Sequence, residues 1–110
     1  MQLNLRKLRS VSKKEGKDII ARGLKLNEEA GELSAEILKY KGHKGSDKTK
    51  QEILKDLQEE AIDTLIMALD ILVYTGAKEK QIAKVMDKKL DKWLKNLRKR
   101  NATPEYIRLK

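Results

Sequence analysis

The segment at about residues 48–74 carries two rows of apolar side chains, and this arrangement restricts the fold more than any other feature of the sequence. The rows are Ile53, Leu57, Ala61, Leu65, Ala68 and Leu72 on one side, and Ile62, Ile66, Leu69 and Val73 on the other. Spacings of three and four residues place each row along one side of an α-helix. Because a helix that is apolar on two sides packs on two sides, the pattern predicts the central, most buried helix of an all-α fold.

Two further segments, at about residues 17–41 and 78–100, show apolar spacing of the same period on one side. With the central segment they predict a bundle of three main helices. Residues 1–110 are expected to form a single domain with a core at about 17–100, a short basic N-terminal segment and a basic tail at 101–110.

Turn and cap signals set the expected ends of these helices. Ser12-Lys13-Lys14-Glu15 fits a capping box, which predicts a helix start near Ser12. Ser46 or Asp47 is the expected N-cap of the central helix. Gly76 is expected to end that helix in the left-handed conformation.

The composition limits both the core and the chemistry. Phe and Cys are absent and 39% of residues are charged. Aliphatic side chains must therefore supply the core, and disulfide or thiolate chemistry is excluded. A helical subunit this small and charged is expected to complete its hydrophobic burial by oligomerising. The absence of a signal-like N-terminus or a long apolar run predicts a cytoplasmic protein without membrane spans.

The net charge of +9 belongs to the two ends of the chain. Residues 1–17 contain six basic and one acidic side chain, residues 98–110 contain five and one, and residues 18–97 are neutral. The basic ends are consistent with attraction of a polyphosphate substrate, with adhesion to nucleic acid, or with solubility alone.

Two acidic clusters lie inside apolar stretches: Glu28-Glu29-Ala30-Gly31-Glu32 and Glu60-Ala61-Ile62-Asp63. On a helix, carboxylates three or four residues apart project from one face, about 5–6 Å between Cβ atoms, and repel each other. A divalent cation relieves that repulsion, because Mg²⁺ prefers oxygen ligands and is often held by carboxylates together with substrate phosphates. The alternative interpretation is a solvated acidic face.

The pattern EExxE, a gap of 27 residues and then ExxD resembles the signature of the MazG-like all-α nucleoside triphosphate pyrophosphatases. The resemblance covers roughly residues 19–97. It implies metal ligation by the second and third Glu of the first motif and both acids of the second, which are Glu29, Glu32, Glu60 and Asp63. Mg²⁺, with Mn²⁺ as a substitute, is the implied cofactor.

The implied reaction is attack of water on the α-phosphorus of a (deoxy)nucleoside triphosphate, which releases a nucleoside monophosphate and pyrophosphate. Glu29 and Glu28 are the candidate catalytic residues; Glu28 either orients the water or is a solvated neighbour. The expected role is nucleotide-pool cleansing, with dUTP, dCTP or modified nucleotides favoured. The family also implies a homodimer or a dimer of dimers, with the apolar faces of the helices at 17–41 and 48–74 as the interface.

The substrate-binding residues are less sharply indicated. Related enzymes carry a Lys and an Asn four residues apart after ExxD, and Lys92 and Asn96 match that spacing. Lys89 is a second candidate for phosphate binding, with Trp93 four residues later as a candidate for base stacking. The alternative interpretation of each lysine is that it belongs to a generic solvated face. The alternative interpretation of Trp93 is that it is a core aromatic residue. Asp70 either hydrogen-bonds an amino group of the base or pairs with a lysine or arginine.

Two other functions compete with this one. A phosphoribosyl-ATP pyrophosphatase-like enzyme belongs to the same superfamily. A non-enzymatic helical module would bind nucleic acid through the basic ends. The clustered carboxylates within apolar surface argue against the second, and no helix-turn-helix spacing supports it.

Overall fold

The computed structural model describes residues 4–101, and within that range the chain forms four α-helices and no β-strand. They are α1 (Leu5–Lys14), α2 (Ile19–Tyr40), α3 (Lys50–Tyr74) and α4 (Glu79–Asn101). The all-α prediction is confirmed, and α2, α3 and α4 match the three predicted helices to within two residues at each end. The predicted tail lies outside the described residues apart from Asn101.

The basic N-terminal segment contains a helix, α1, so the described residues form four helices instead of the three predicted. Asn4 caps α1, and its Oδ1 accepts a hydrogen bond from a backbone N–H of the first turn. The predicted helix start near Ser12 is wrong, because Ser12 lies buried in the last turn of α1. Its hydroxyl accepts a hydrogen bond from Arg22. Asp18 is the residue that caps α2.

The N-cap of the central helix is Thr49, three residues after the first of the two predicted caps. Thr49 Oγ1 accepts a hydrogen bond from the Glu52 N–H (3.2 Å), and the Glu52 carboxylate accepts one from the Thr49 N–H (2.9 Å). This reciprocal pair satisfies two backbone donors that the helix leaves free. The prediction of Ser46 or Asp47 as N-cap is therefore wrong, and Ser46 Oγ accepts instead from the Lys48 N–H within the loop.

Gly76 follows the end of α3 with φ of +87°, which confirms the predicted left-handed residue. It is also the last residue of the first of two compact units. That unit contains α1, α2 and α3, and the second begins at Ala77 and contains α4.

Within the first unit α3 packs against both α1 and α2, as its two apolar rows predict. The buried apolar side chains of the described residues are Leu5, Ile53, Leu69 and Val73, and three of these four lie on α3. Many other large apolar side chains remain exposed, among them Ile20, Leu24, Ile62 and Leu65. The apolar core of the first unit is therefore thin.

Taken by itself, α4 carries its apolar side chains on one side. They are Ile82, Val85, Met86, Leu90, Trp93 and Leu97, at spacings of three and four residues. In the part of the chain from residue 4 to residue 101, no helix has the length and apolar character needed to cross a membrane.

Candidate functional site

The two acidic motifs meet where α2 packs against α3. Glu29 of α2 and Glu60 and Asp63 of α3 each offer a carboxylate oxygen, and these oxygens lie within 4.8 Å of one another. Glu28, Glu29 and Glu32 form a second such group along α2 with the same limit. Because Glu29 belongs to both groups, the five carboxylates form one continuous cluster, which we call the carboxylate cluster.

The carboxylate cluster is poorly neutralised. Lys25 Nζ lies 3.4 Å from Glu28 Oε1 and 3.5 Å from Glu29 Oε1. Among residues 4–76, no lysine or arginine forms an ion pair with the other three carboxylates, those of Glu32, Glu60 and Asp63. Glu29 is nevertheless buried, with 7% of its surface exposed. A buried carboxylate beside several others is costly unless a cation compensates it.

Glu60 carries the clearest sign of this imbalance. Burial, followed by repulsion from Glu32, Glu29 and Asp63, raises the pKa of the Glu60 carboxyl above its ordinary value. Its Oε2 atom is also shielded from solvent and has no hydrogen-bond partner within residues 4–101. An oxygen of this kind lacks both water and a donor, and a bound cation would satisfy it.

One helical turn away from the cluster, acidic side chains of α2 and α3 are paired with lysines. Glu36, four residues after Glu32, pairs with Lys39 at 3.0 Å, although its Oε2 has no partner. Asp56, four residues before Glu60, pairs with Lys48 at 2.6 Å, and this hydrogen bond lowers the pKa of the Asp56 carboxyl. Lysines thus flank the cluster without neutralising its centre.

The donor set of the cluster suits a hard divalent cation. Every candidate ligand is a carboxylate oxygen, and the described part of the chain brings no histidine into either group. Mg²⁺ and Mn²⁺ favour carboxylate, carbonyl and water oxygens, whereas zinc sites commonly use nitrogen or sulfur. The residues that would hold such an ion are Glu29, Glu60 and Asp63, with Glu32 adjoining them.

Asp70 pairs with an arginine, which is one of the two interpretations that the sequence left open. Its Oδ1 lies 2.6 Å from Nη1 of Arg22, and the side chains are 14% and 3% exposed. Arg22 itself was not among the candidate residues. A signal for it exists in the sequence, because it is a charged residue within the apolar run Ile19-Ile20-Ala21-Arg22-Gly23-Leu24.

A small pocket lies between α1, α2 and α3, one helical turn from the cluster. Its volume is about 210 Å³, and its lining includes the apolar side chains of Leu8, Val11, Ile66 and Met67. Lys25, which contacts Glu28 and Glu29, also lines it. The pocket and the carboxylate cluster are therefore adjacent, and Lys25 contacts both.

The remaining candidates lie on α4, in the second unit. Lys89, Lys92, Trp93 and Asn96 are all exposed, and their spacings of three and four residues place them along one side of that helix. Their roles in binding phosphate or base stay predictions.

Comparison with known proteins adds no relative: no family model, no curated protein and no solved structure matches this chain. The resemblance to the MazG-like enzymes rests on the two acidic motifs and their spacing.

Proposed function

We propose that this protein is an Mg²⁺-dependent pyrophosphohydrolase that converts (deoxy)nucleoside triphosphates to monophosphates and pyrophosphate. The observation that carries the proposal is that carboxylate oxygens of Glu29, Glu60 and Asp63 lie within 4.8 Å of one another, while no residue in the range 4–101 forms an ion pair with Glu60 or Asp63. Such a cluster is stable when a cation occupies it, and carboxylate-held Mg²⁺ commonly binds substrate phosphates.

Each carboxylate has a distinct place in this proposal. Glu29, Glu60 and Asp63 hold the metal from two helices, and Glu32 extends the ligand set along α2. When bound, Mg²⁺ neutralises phosphate oxygens and favours ionisation of the attacking water. Glu28 is exposed and adjoins Glu29 and Glu32, where its carboxylate can orient a water molecule. Positioning and charge neutralisation supply most of the catalysis in such reactions.

The pocket between α1, α2 and α3 is the proposed site of the nucleobase. Its apolar walls favour a planar ring over water, and Lys25 stands where the pocket meets the carboxylate cluster. A pocket of about 210 Å³ has room for a single nucleobase, and the preference for dUTP, dCTP or their modified forms stays a prediction.

The protein is further proposed to act as a homodimer or a dimer of dimers. Ile20 and Leu24 on α2 are 70% and 66% exposed, and Ile62 and Leu65 on α3 are 53% and 42% exposed. Apolar surface on neighbouring helices favours association with a partner. A second copy of the chain would cover it and thicken the core.

A nucleotide panel tests the activity. Wild-type protein is incubated with Mg²⁺ and the common and modified (d)NTPs, and pyrophosphate and orthophosphate are measured separately. Pyrophosphate is the expected primary product, and excess chelator is expected to abolish its release.

Variants of the cluster test the assignment of the metal ligands. Glu32→Ala and Asp63→Ala are expected to lose turnover. Circular dichroism is expected to show folded protein for both, because each change relieves repulsion within the cluster. Lys48→Gln, at an exposed ion pair, is the matched control that keeps activity.

The same panel separates the alternatives. Hydrolysis of phosphoribosyl-ATP in preference to all (d)NTPs would indicate the related pyrophosphatase of that substrate. Orthophosphate as the first product, or turnover that persists in chelator, would overturn the proposed mechanism. Absence of any hydrolysis together with salt-sensitive binding of nucleic acid would favour the non-enzymatic module.

A further inference from the structure

Arg22 uses every hydrogen-bond donor of its side chain. Nε donates to the Lys17 carbonyl (2.8 Å), Nη1 to Ser12 Oγ (2.9 Å) and Asp70 Oδ1 (2.6 Å), and Nη2 to the carbonyls of Ser12 and Glu15 (3.1 Å each). A guanidinium has five N–H groups in a fixed plane, so these partners leave none free. A single side chain of α2 therefore fixes the end of α1, the α1–α2 connection and α3.

Two successive turns of α3 hold this guanidinium. Asp70 pairs with it, and the ring of Tyr74, four residues later, lies under it with 4.1 Å between the guanidinium carbon and the ring centre. An ion pair and a cation–π contact together restrict both the position and the tilt of the guanidinium plane. Arg22 is 3% exposed, so water does not loosen this arrangement.

The position of the Arg22–Asp70 pair relative to the carboxylate cluster follows from helix geometry. Glu29 lies seven residues after Arg22 on α2, and Asp63 lies seven residues before Asp70 on α3. Seven residues advance a helix by about 10.5 Å and return to the same side within about 20°. Because α2 and α3 run antiparallel, the ion pair and the cluster are two levels of one helix–helix contact, two turns apart.

At the level of the cluster, by contrast, the side chains push the helices apart. The carboxylates of Glu29, Glu60 and Asp63 repel one another, and a slide of α2 along α3 by one turn, about 5.4 Å, would separate them. Lys25 is half-buried and, among the described residues, forms ion pairs with Glu28 and Glu29 of its own helix alone, so it does not oppose that slide. A contact that opposes this slide must join α2 to α3.

We propose that Arg22 and Asp70 are positioning residues that set the register of α2 against α3 and so hold Glu29 within metal-binding reach of Glu60 and Asp63. This inference rests on the proposed function, because it takes the cluster as a divalent-cation site. Neither residue touches the cation; they act through the two helices that carry its ligands. Loss of a group that hydrogen-bonds a metal ligand directly weakens metal binding by about 10-fold to 100-fold, and for Arg22 and Asp70, which act through the helices, we expect the lower end of that range.

Binding of Mn²⁺ alone, measured from the EPR signal of free Mn²⁺, tests the inference without any turnover. Arg22→Gln is expected to raise the dissociation constant about ten-fold or more, and Arg22→Lys, which keeps the charge and part of the hydrogen bonding, is expected to recover part of the loss. The direction of the effect is diagnostic. Removing a positive charge two turns from a cation site would by itself tighten cation binding, whereas loss of register weakens it.

A double variant keeps the test decisive if Arg22→Gln fails to fold. Arg22→Gln/Asp70→Asn removes both charges, leaves no unpaired ion and leaves the net charge unchanged. The matched control is Lys48→Gln/Asp56→Asn, which removes a pair with the same 2.6 Å separation that lies in the loop and on α3 alone. The first double variant is expected to bind Mn²⁺ about ten-fold more weakly than wild type, and the control within two-fold of it.

The outcomes separate this inference from the function on which it rests. If wild-type protein does not bind Mn²⁺, the carboxylate cluster is not a metal site and the proposed function is wrong. If wild type binds Mn²⁺ and the folded double variant binds it within two-fold of wild type, the cluster stands and the positioning role of Arg22 and Asp70 is wrong. Circular dichroism at the titration temperature establishes folding for each variant.

Discussion

Glu29 on α2 and Glu60 on α3 lie with carboxylate oxygens within 4.8 Å of each other, although they are separated by 31 positions in the sequence. Burial, followed by repulsion from Glu32 and from Glu29, raises the pKa of the Glu60 carboxyl. The folded protein therefore holds the proton of Glu60 more tightly than the unfolded chain does, and a cation at this place would favour the ionised form. Stability and metal binding at this site are expected to depend on pH in opposite directions.

The first prediction concerns stability without metal. A carboxyl whose pKa is raised on folding makes no difference well below its unfolded value, near 4.5, and destabilises the fold as it ionises at higher pH. We expect the free energy of unfolding of wild type, relative to Glu60→Gln, to fall as pH rises from about 4.5 through the raised pKa. Urea denaturation in chelator, at several pH values, measures this difference.

Added Mg²⁺ is expected to reverse that trend. A ligand that binds the native state alone stabilises it in proportion to the logarithm of its concentration, and Mg²⁺ binds the ionised carboxylates. The shift in melting temperature caused by Mg²⁺ should grow with pH in wild type and be reduced in Glu60→Gln. Equal Mg²⁺ shifts in the two proteins would show that Glu60 does not contribute to a metal site.

The apolar periodicity predicted the long helices well, because burial against neighbours requires that spacing whatever the partner. The meeting of Glu29 and Asp63 was implied instead by the two acidic motifs and their resemblance to a known signature, and the structure brings these carboxylates together. The helix α1 was missed because its sequence, LRKLRSVSKK, is mostly polar. Tertiary contacts hold α1 against the rest of the unit. They are its packing on α3 and the hydrogen bonds between Ser12 and Arg22.

The partner of Asp70 could not be predicted from the sequence either. The sequence contains 26 lysines and arginines, and nothing local to Asp70 distinguishes Arg22, which lies 48 positions away, from the others. Such a pair depends on the register of two helices, which local spacing does not contain. The cap of α3 was misplaced for a more local reason, because three residues with capping side chains, Ser46, Asp47 and Thr49, occur together.

The second prediction concerns this cap. Thr49→Ala removes the side chain that accepts the Glu52 N–H, and with it half of the reciprocal pair at the start of α3. We expect the free energy of unfolding to fall by about 1 kcal/mol. Ser46→Ala is the matched control, because Ser46 Oγ contacts a loop N–H, and a loss below about 0.5 kcal/mol is expected there. Chemical denaturation that gave equal losses for the two variants would contradict the assignment of Thr49 as the cap.

The third prediction concerns the energy of the Arg22–Asp70 pair. Arg22→Met leaves a mostly buried carboxylate without its partner, and we expect a loss of about 3–5 kcal/mol. The double variant Arg22→Met/Asp70→Leu is expected to lose less than the sum of the two single variants, because the uncompensated charge is gone. Urea denaturation of all four proteins gives the coupling energy.

The Lys48–Asp56 pair provides the comparison for that cycle. Its N–O distance is the same, 2.6 Å, but its side chains are 52% and 31% exposed, against 3% and 14% for Arg22 and Asp70. Exposed pairs contribute about 0–1 kcal/mol, so the same cycle at Lys48 and Asp56 is expected to give a small coupling. Similar coupling energies at the two pairs would mean that burial does not strengthen the Arg22 contact.

The fourth prediction concerns assembly. The proposed interface on α2 and α3 includes the exposed side chains of Ile62 and Leu65, which also line an apolar groove of about 380 Å³ between α3 and α1. A second copy of the chain that covers this groove would bury Leu65, so Leu65→Lys would place a charge in the interface at a large desolvation cost. We expect wild type to sediment as a dimer or tetramer at micromolar concentration and Leu65→Lys to sediment as a folded monomer.

His43→Lys is the control for this variant, because it adds the same charge in the α2–α3 loop, and it is expected to keep the wild-type mass. A monomeric wild type in the ultracentrifuge would contradict the proposed assembly, while leaving the metal-binding measurements to decide the carboxylate cluster independently.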